Sequence, residues 1–108
     1  VSSVVKVIQP SGILDGVSAN QLRREINDVV ENGADIVLVD FQNITFMNST
    51  GLGALVSTLR TVRSAGGELF ICSLNEQVQM IFNLTKMDRV FKTFTNRDEF
   101  ERKILAAG

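Results

Sequence analysis

The chain contains no histidine and a single cysteine, Cys72. Without imidazole, every scheme that uses histidine as base or ligand is closed, the Ser-His-Asp triad included. One thiol permits neither an intrachain disulfide nor a multi-cysteine zinc site. Cys72 stands inside the apolar run Leu69-Phe70-Ile71-Cys72, which marks it as a small core residue rather than a nucleophile. No acid/base pair or metal-ligand cluster stands out, so no catalysis, metal or cofactor is expected. Neither sign of charge dominates: 11 Lys and Arg stand against 12 Asp and Glu, a net of −1. That balance gives no electrostatic case for nucleic acid or a membrane as partner. No apolar run approaches the roughly 18 residues of a membrane span, and no signal-peptide pattern opens the chain. A reducing, cytoplasmic setting is the expectation.

What is present reads as one packed domain over residues 1–108. The length carries a single core but not a second. Val4-Val5-Lys6-Val7-Ile8 is rich in β-branched residues and stops at the turn signature Gln9-Pro10-Ser11-Gly12. Ile13-Leu14 is a second short strand closed by Asp15-Gly16, and the two pieces are expected to form a hairpin-like start to the sheet. Ser18, with Gln21 three residues on, matches a capping box. Leu22, Ile26, Val29 and Val30 follow at helical spacing, and Gly33 is positioned to end that helix.

Ile36 to Phe41 is a continuous apolar strand with one Asp, Asp40, near its end, the pattern of a strand buried on both faces. A helix is predicted from about Ser49 to Ser64, with Leu52, Leu55, Val56, Leu59 and Val62 on one stripe and Gly66-Gly67 ending it. Leu69 to Ser73 is the next buried strand. Asn75 caps a third helix carrying Val78, Ile81, Phe82 and Leu84. Val90 to Phe94 reads as a short edge strand, and Thr95 or Asn96 caps a last helix with Phe100, Ile104 and Leu105 inward. The order β-β-α-β-α-β-α-β-α predicts an α/β fold. A mixed, mostly parallel sheet of about five strands is expected to pack with four helices through right-handed crossovers.

In such sheets, function collects beyond the carboxyl ends of the strands. Asp15-Gly16-Val17 and the loop from Gln42 to Ser49 both leave those ends, so Asp15 and the hydroxyls of Ser49 and Thr50 are expected on one rim. Helix starts carry unpaired N–H groups and a partial positive charge. Hydroxyls there cap the helix, touch an anion or receive one. Asn48 or Ser49 is the expected N-cap, which leaves the Thr50 hydroxyl in the first turn free to point outward. Gly51 and Gly53 each cost about 1 kcal/mol relative to Ala inside a helix. Small size is therefore wanted there, either for a partner's backbone or for close packing of the helix on the sheet. Phe46 and Met47 are candidate contact residues, Phe46 being the one more expected to pack under the loop. Thr50-Gly51-Leu52-Gly53 lacks the lysine and length of a P-loop, and no third glycine completes a dinucleotide fingerprint.

At these residues the chain resembles STAS domains, specifically the anti-sigma factor antagonist group. The match rests on Val39-Asp40-Phe41 and on Ile44-Thr45-Phe46-Met47-Asn48-Ser49-Thr50-Gly51-Leu52-Gly53. Gly12-Ile13-Leu14-Asp15 upstream and Ala65-Gly66-Gly67-Glu68-Leu69 downstream add to it. The family pattern is Asp-Ser-Ser/Thr-Gly-Leu/Ile-Gly, in which the hydroxyl before the glycine is phosphorylated. The resemblance implies Thr50 as the acceptor, with Ser49 second, and departs at Asn48, where the family has aspartate. Asp15, Met47, Asn48, Ser49, Gly51 and Leu52 are the residues expected at the partner interface. The implied function is partner switching by a bacterial, non-enzymatic regulator of sigma factors. Unphosphorylated, it binds an anti-sigma factor that is also a serine/threonine kinase. Phosphorylation at Thr50 releases it, and a PP2C-type phosphatase resets it. The alternative is a STAS module of a transporter, lipid-transport complex or signalling scaffold without a phospho-switch.

Overall fold

A computed structural model describes residues 4–106. In chain order the elements are β1 (Val5–Ile8), β2 (Ser11–Leu14), α1 (Gly16–Glu31), β3 (Ile36–Asp40) and β4 (Asn43–Met47). Then come α2 (Ser49–Ser64), β5 (Glu68–Cys72), α3 (Glu76–Leu84), a 3-10 turn (Met87–Arg89), β6 (Lys92–Phe94) and α4 (Arg97–Phe100), which runs on as a π-type turn over Glu101–Leu105. Strands β1-β3-β5-β6 form a four-stranded parallel sheet in that order, and β2 and β4 form a separate parallel pair.

One sheet face carries Val37, Val39, Leu69 and Ile71 into a core with Leu22 and Ile26 of α1 and Leu55, Leu59 and Val62 of α2. The opposite face carries Leu38, Phe70 and Cys72 against Phe100 of α4, with the Phe70 and Phe100 rings 5.4 Å apart. Two-sided burial explains why β3 and β5 read as continuous apolar runs. It also pushes the Cys72 thiol above its ordinary pKa, which fits a packing role.

Several expectations are corrected. β1 and β2 do not form a hairpin: each pairs in parallel with a later strand, β1 with β3 and β2 with β4. β4 itself lies where the sequence reads as loop. Its register jumps from Gly12↔Ile44 to Ile13↔Phe46, so Thr45 is an extra, bulged residue that breaks the period-2 alternation. The N-cap of α1 is Asp15, three residues before the predicted cap Ser18, and Ser18 is instead the reciprocal N3 member of the capping box that Asp15 opens. Leu84 is 77% exposed rather than inward, and Leu105 is also exposed. Val90 and Phe91 precede β6 instead of forming part of it. Helix α2 spans Ser49–Ser64 as the periodicity predicts, and Asn75 and Asn96 cap α3 and α4.

The single Asp of β3 is almost fully buried. Burial alone would raise the Asp40 carboxyl, but the Gln42 N–H (3.0 Å), the Arg97 Nε–H (2.8 Å) and the Arg97 charge outweigh it and hold it below its ordinary pKa. A lowered folded-state pKa means that this stabilisation is present above the unfolded value and is lost as pH falls through the folded one. Arg97→Ala would strand the carboxylate. Because the Arg97 side chain is itself 45% exposed, the expected loss is about 2 kcal/mol at neutral pH, below the range for fully buried pairs. Denaturant titrations of both proteins should show that difference shrinking below about pH 4. A constant difference across pH would remove the carboxylate from the explanation.

Candidate functional site at two helix starts

The starts of α1 and α2 lie side by side. At α1, the Asp15 carboxylate accepts from the Val17 N–H (3.1 Å) and the Ser18 N–H (3.0 Å), and the Asp15 N–H donates to Ser18 Oγ (2.9 Å). The bond from the Ser18 N–H, followed by that from its hydroxyl, holds the Asp15 carboxyl below its ordinary pKa. At α2, Asn48 Oδ1 accepts from the Gly51 N–H at 2.8 Å, so Asn48 rather than Ser49 is the N-cap. The Asn48 N–H donates in turn to the Leu14 carbonyl at 3.3 Å, joining the two helix starts through the end of β2.

Gly51 explains how close they come. A Cβ on it would overlap the Leu14 carbonyl oxygen and lie 2.8 Å from the Leu14 carbonyl carbon. Of the two readings of this glycine, close packing within the chain is the one observed. Gly53 meets nothing within 4 Å and is exposed. A Cβ on Gly16 would lie 2.9 Å from Thr50 Cγ2, so the Thr50 methyl rests on the first residue of α1 while the residue as a whole is exposed.

Asp15, Asn48, Ser49 and Thr50 thus share one rim, Ser49 and Thr50 exposed and the other two half-buried. Three other expected contact residues do not present themselves. Met47 is fully buried, Leu52 is in the core at 9% exposure, and Gly51 is buried under the β2–α1 junction. The reason lies in the β2–β4 pair: Leu14 and Met47 face inward together, which turns their neighbours Ile13 and Phe46 outward together. Phe46, expected under the loop, is therefore the exposed member at 39%, and Met47 is the core residue.

Ile13 at 55% and Val17 at 71% exposure, neither singled out from the sequence, join the candidate Phe46 as large apolar groups at this rim. The signal was available only through the pairing of Ile13 with Phe46, which a bulge conceals. Among the described residues, no group of three or more His, Cys, Asp or Glu side chains converges to hold a metal ion. No helix among the described residues is long and apolar enough to cross a membrane.

The STAS domain profile matches residues 1–100. An anti-sigma-B factor antagonist of Bacillus subtilis is 35% identical over 75 residues, 69% of this chain and 68% of its own length. Among solved structures, the anti-sigma factor antagonist SpoIIAA in its unphosphorylated form superposes with a TM-score of 0.75 at 20% identity, covering 94% of this chain and 90% of that one. The phosphorylated form of the Bacillus cell fate determinant SpoIIAA gives 0.68 at 19% identity, covering 94% and 93%. A sulfate transporter family protein of Wolinella succinogenes gives 0.82 at 16% identity, covering 99% and 93%. At these identities the structural matches speak for the fold, and the profile and the Bacillus relative for the lineage. The chain belongs to the STAS domain family, in the group of the anti-sigma factor antagonists.

Proposed function

We propose that this protein is an anti-sigma factor antagonist that works by partner switching, with Thr50 as its phosphoacceptor and no catalysis of its own. The observation that carries the reading is the exposed Thr50 at two adjoining helix starts, beside the outward-facing apolar residues Ile13, Val17 and Phe46. Unmodified, that rim offers an apolar surface to an anti-sigma factor of the serine/threonine-kinase type. A phosphate on Thr50 adds about −1.5 to −2 charges. The two helix dipoles and their first-turn N–H groups accommodate that charge within the fold. A partner covering the same rim has to desolvate it. Phosphorylation by the bound kinase then ends the complex, and a PP2C-type phosphatase restores the binding form, in the cytoplasm. The Bacillus relative's name and the two forms of SpoIIAA support this reading.

The likeness to the Wolinella transporter family protein favours a second reading, a STAS module of a transporter in which the rim binds without a phospho-switch. Calorimetric titration of a kinase-type anti-sigma factor tests the interface. Ile13→Lys and Phe46→Lys should each weaken binding by roughly tenfold or more with an unchanged melting temperature, as expected for apolar anchors at an interface centre. Wild-type affinity in both variants would move the interface elsewhere.

A further inference from the structure

The outer face of α3 carries an apolar strip that no described residue covers. Met80 and Leu84, one helical turn apart, are 59% and 77% exposed, and with Leu74 they line an open groove of about 450 Å³. The polar groups along it are the amides of Asn75, Gln79 and Asn83, and the charge in its lining, Glu76, is acidic. Across Leu74 and Gln79 the groove continues into a second hollow of about 230 Å³ beside Phe94, where the lining charge is again acidic, Glu99. Lys103 reaches a Glu99 oxygen at 4.0 Å from outside that lining, and among the described residues Glu76 makes no ion pair.

The groove wall is preformed. Asn75 Oδ1 caps α3 by accepting from the Val78 N–H at 2.9 Å, while its Nδ2 donates to the carbonyls of Ile44 (3.0 Å) and Thr45 (3.4 Å) on β4. One side chain thereby fixes the start of α3 to the neighbouring strand, which lowers the ordering cost of binding there.

Shape and charge select the occupant. The larger hollow is open along its length rather than enclosing, and Leu74, Asn75 and α3 alone line it, so no strand edge is there for an added strand to extend. The rows Glu76-Met80-Leu84 and Gln79-Asn83 follow the four-residue spacing whose grooves receive the ridges of another helix. A second copy meeting symmetrically on this face would bring no basic group to Glu76 or Glu99, since no Lys or Arg lines either hollow. We propose that the groove docks an amphipathic helix of a partner protein, with apolar side chains against Leu74, Met80 and Leu84 and Lys or Arg side chains toward Glu76 and Glu99. This surface is distinct from the Thr50 rim and does not depend on how that rim is read.

The test is NMR titration of the isotopically labelled protein with a designed helical peptide of roughly 18 residues, Leu on one face and Lys on the other. Two controls are a scrambled peptide of the same composition and a version with Glu replacing Lys. The expected result is saturable shifts at residues 74–84 and 93–99 with the Leu/Lys helix alone. Met80→Lys, Leu84→Lys and Glu76→Lys should each weaken that binding by roughly tenfold; all three positions are exposed, so the spectra should otherwise stay native. Four results would overturn the proposal: no saturable shift, equal shifts from either control, shifts centred on Ile13 and Phe46, or peptide-free shifts that grow with protein concentration and reveal a second copy as the occupant.

Discussion

Gly51→Ala is expected to lower the melting temperature by roughly 10 °C, whereas Gly53→Ala, two residues away in the same helix, should leave it unchanged or slightly higher. The added methyl at Gly51 would overlap the Leu14 carbonyl, and the obstacle is backbone rather than a flexible side chain. Relief requires the β2–α1 junction and the first turn of α2 to separate. That movement also strains the Asn48 N–H bond to the Leu14 carbonyl and the contact of Thr50 with Gly16. Overpacking of this kind costs up to about 3 kcal/mol, offset by about 1 kcal/mol of helix propensity gained over glycine, for a net loss of about 2 kcal/mol. In a domain of this size each kcal/mol moves the midpoint by roughly 4–8 °C. At Gly53 the propensity gain stands alone, since a Cβ there meets nothing. Thermal melts of the two variants decide the matter: similar midpoints would mean that the close approach of the two helix starts does not depend on the missing side chain of Gly51.

Phosphorylation of Thr50 should weaken the complex with the anti-sigma factor by about 100-fold while leaving the isolated protein folded. The asymmetry comes from what surrounds the residue in each state. In the free protein Thr50 is exposed at the positive ends of α1 and α2, so the new charge stays hydrated and the local field favours it. In the complex the same dianion would be covered together with Ile13, Val17 and Phe46, and an uncompensated desolvation of about 3 kcal/mol corresponds to about 100-fold in affinity. Thr50→Glu should therefore keep a native circular dichroism spectrum and bind weakly, and Thr50→Ala should bind as the unmodified protein does. Undiminished affinity in the Glu variant would argue for the non-switching reading.

The residues that were legible in the sequence are those whose role is local. Leu52, Leu55, Leu59 and Val62 recur with the helical period, and α2 spans the residues that this stripe predicts. Asn48, Asn75 and Asn96 are caps because a short amide precedes each helix, and each is observed as one. What was not legible depends on pairing between distant segments. The bulge at Thr45 hid β4, and with it the inward turn of Met47 and the outward turn of Phe46. Gly51 could not be assigned between a partner's backbone and the chain's own until the Leu14 carbonyl was located against it. Asp15 was expected on the rim as a partner-contact residue, with the capping role assigned to Ser18. It is the cap of α1, its carboxylate occupied by two backbone N–H groups.

Mapping of the modified residue tests the central claim most directly. The protein, and its Thr50→Ala variant, would be incubated with ATP and a kinase-type anti-sigma factor and analysed by mass spectrometry. The expected result is a single phosphate on Thr50 of the unsubstituted chain, none on the variant, and loss of the complex in step with the modification. Equal phosphate incorporation into the Thr50→Ala protein, or a complex that persists when Thr50 is fully phosphorylated, would contradict it.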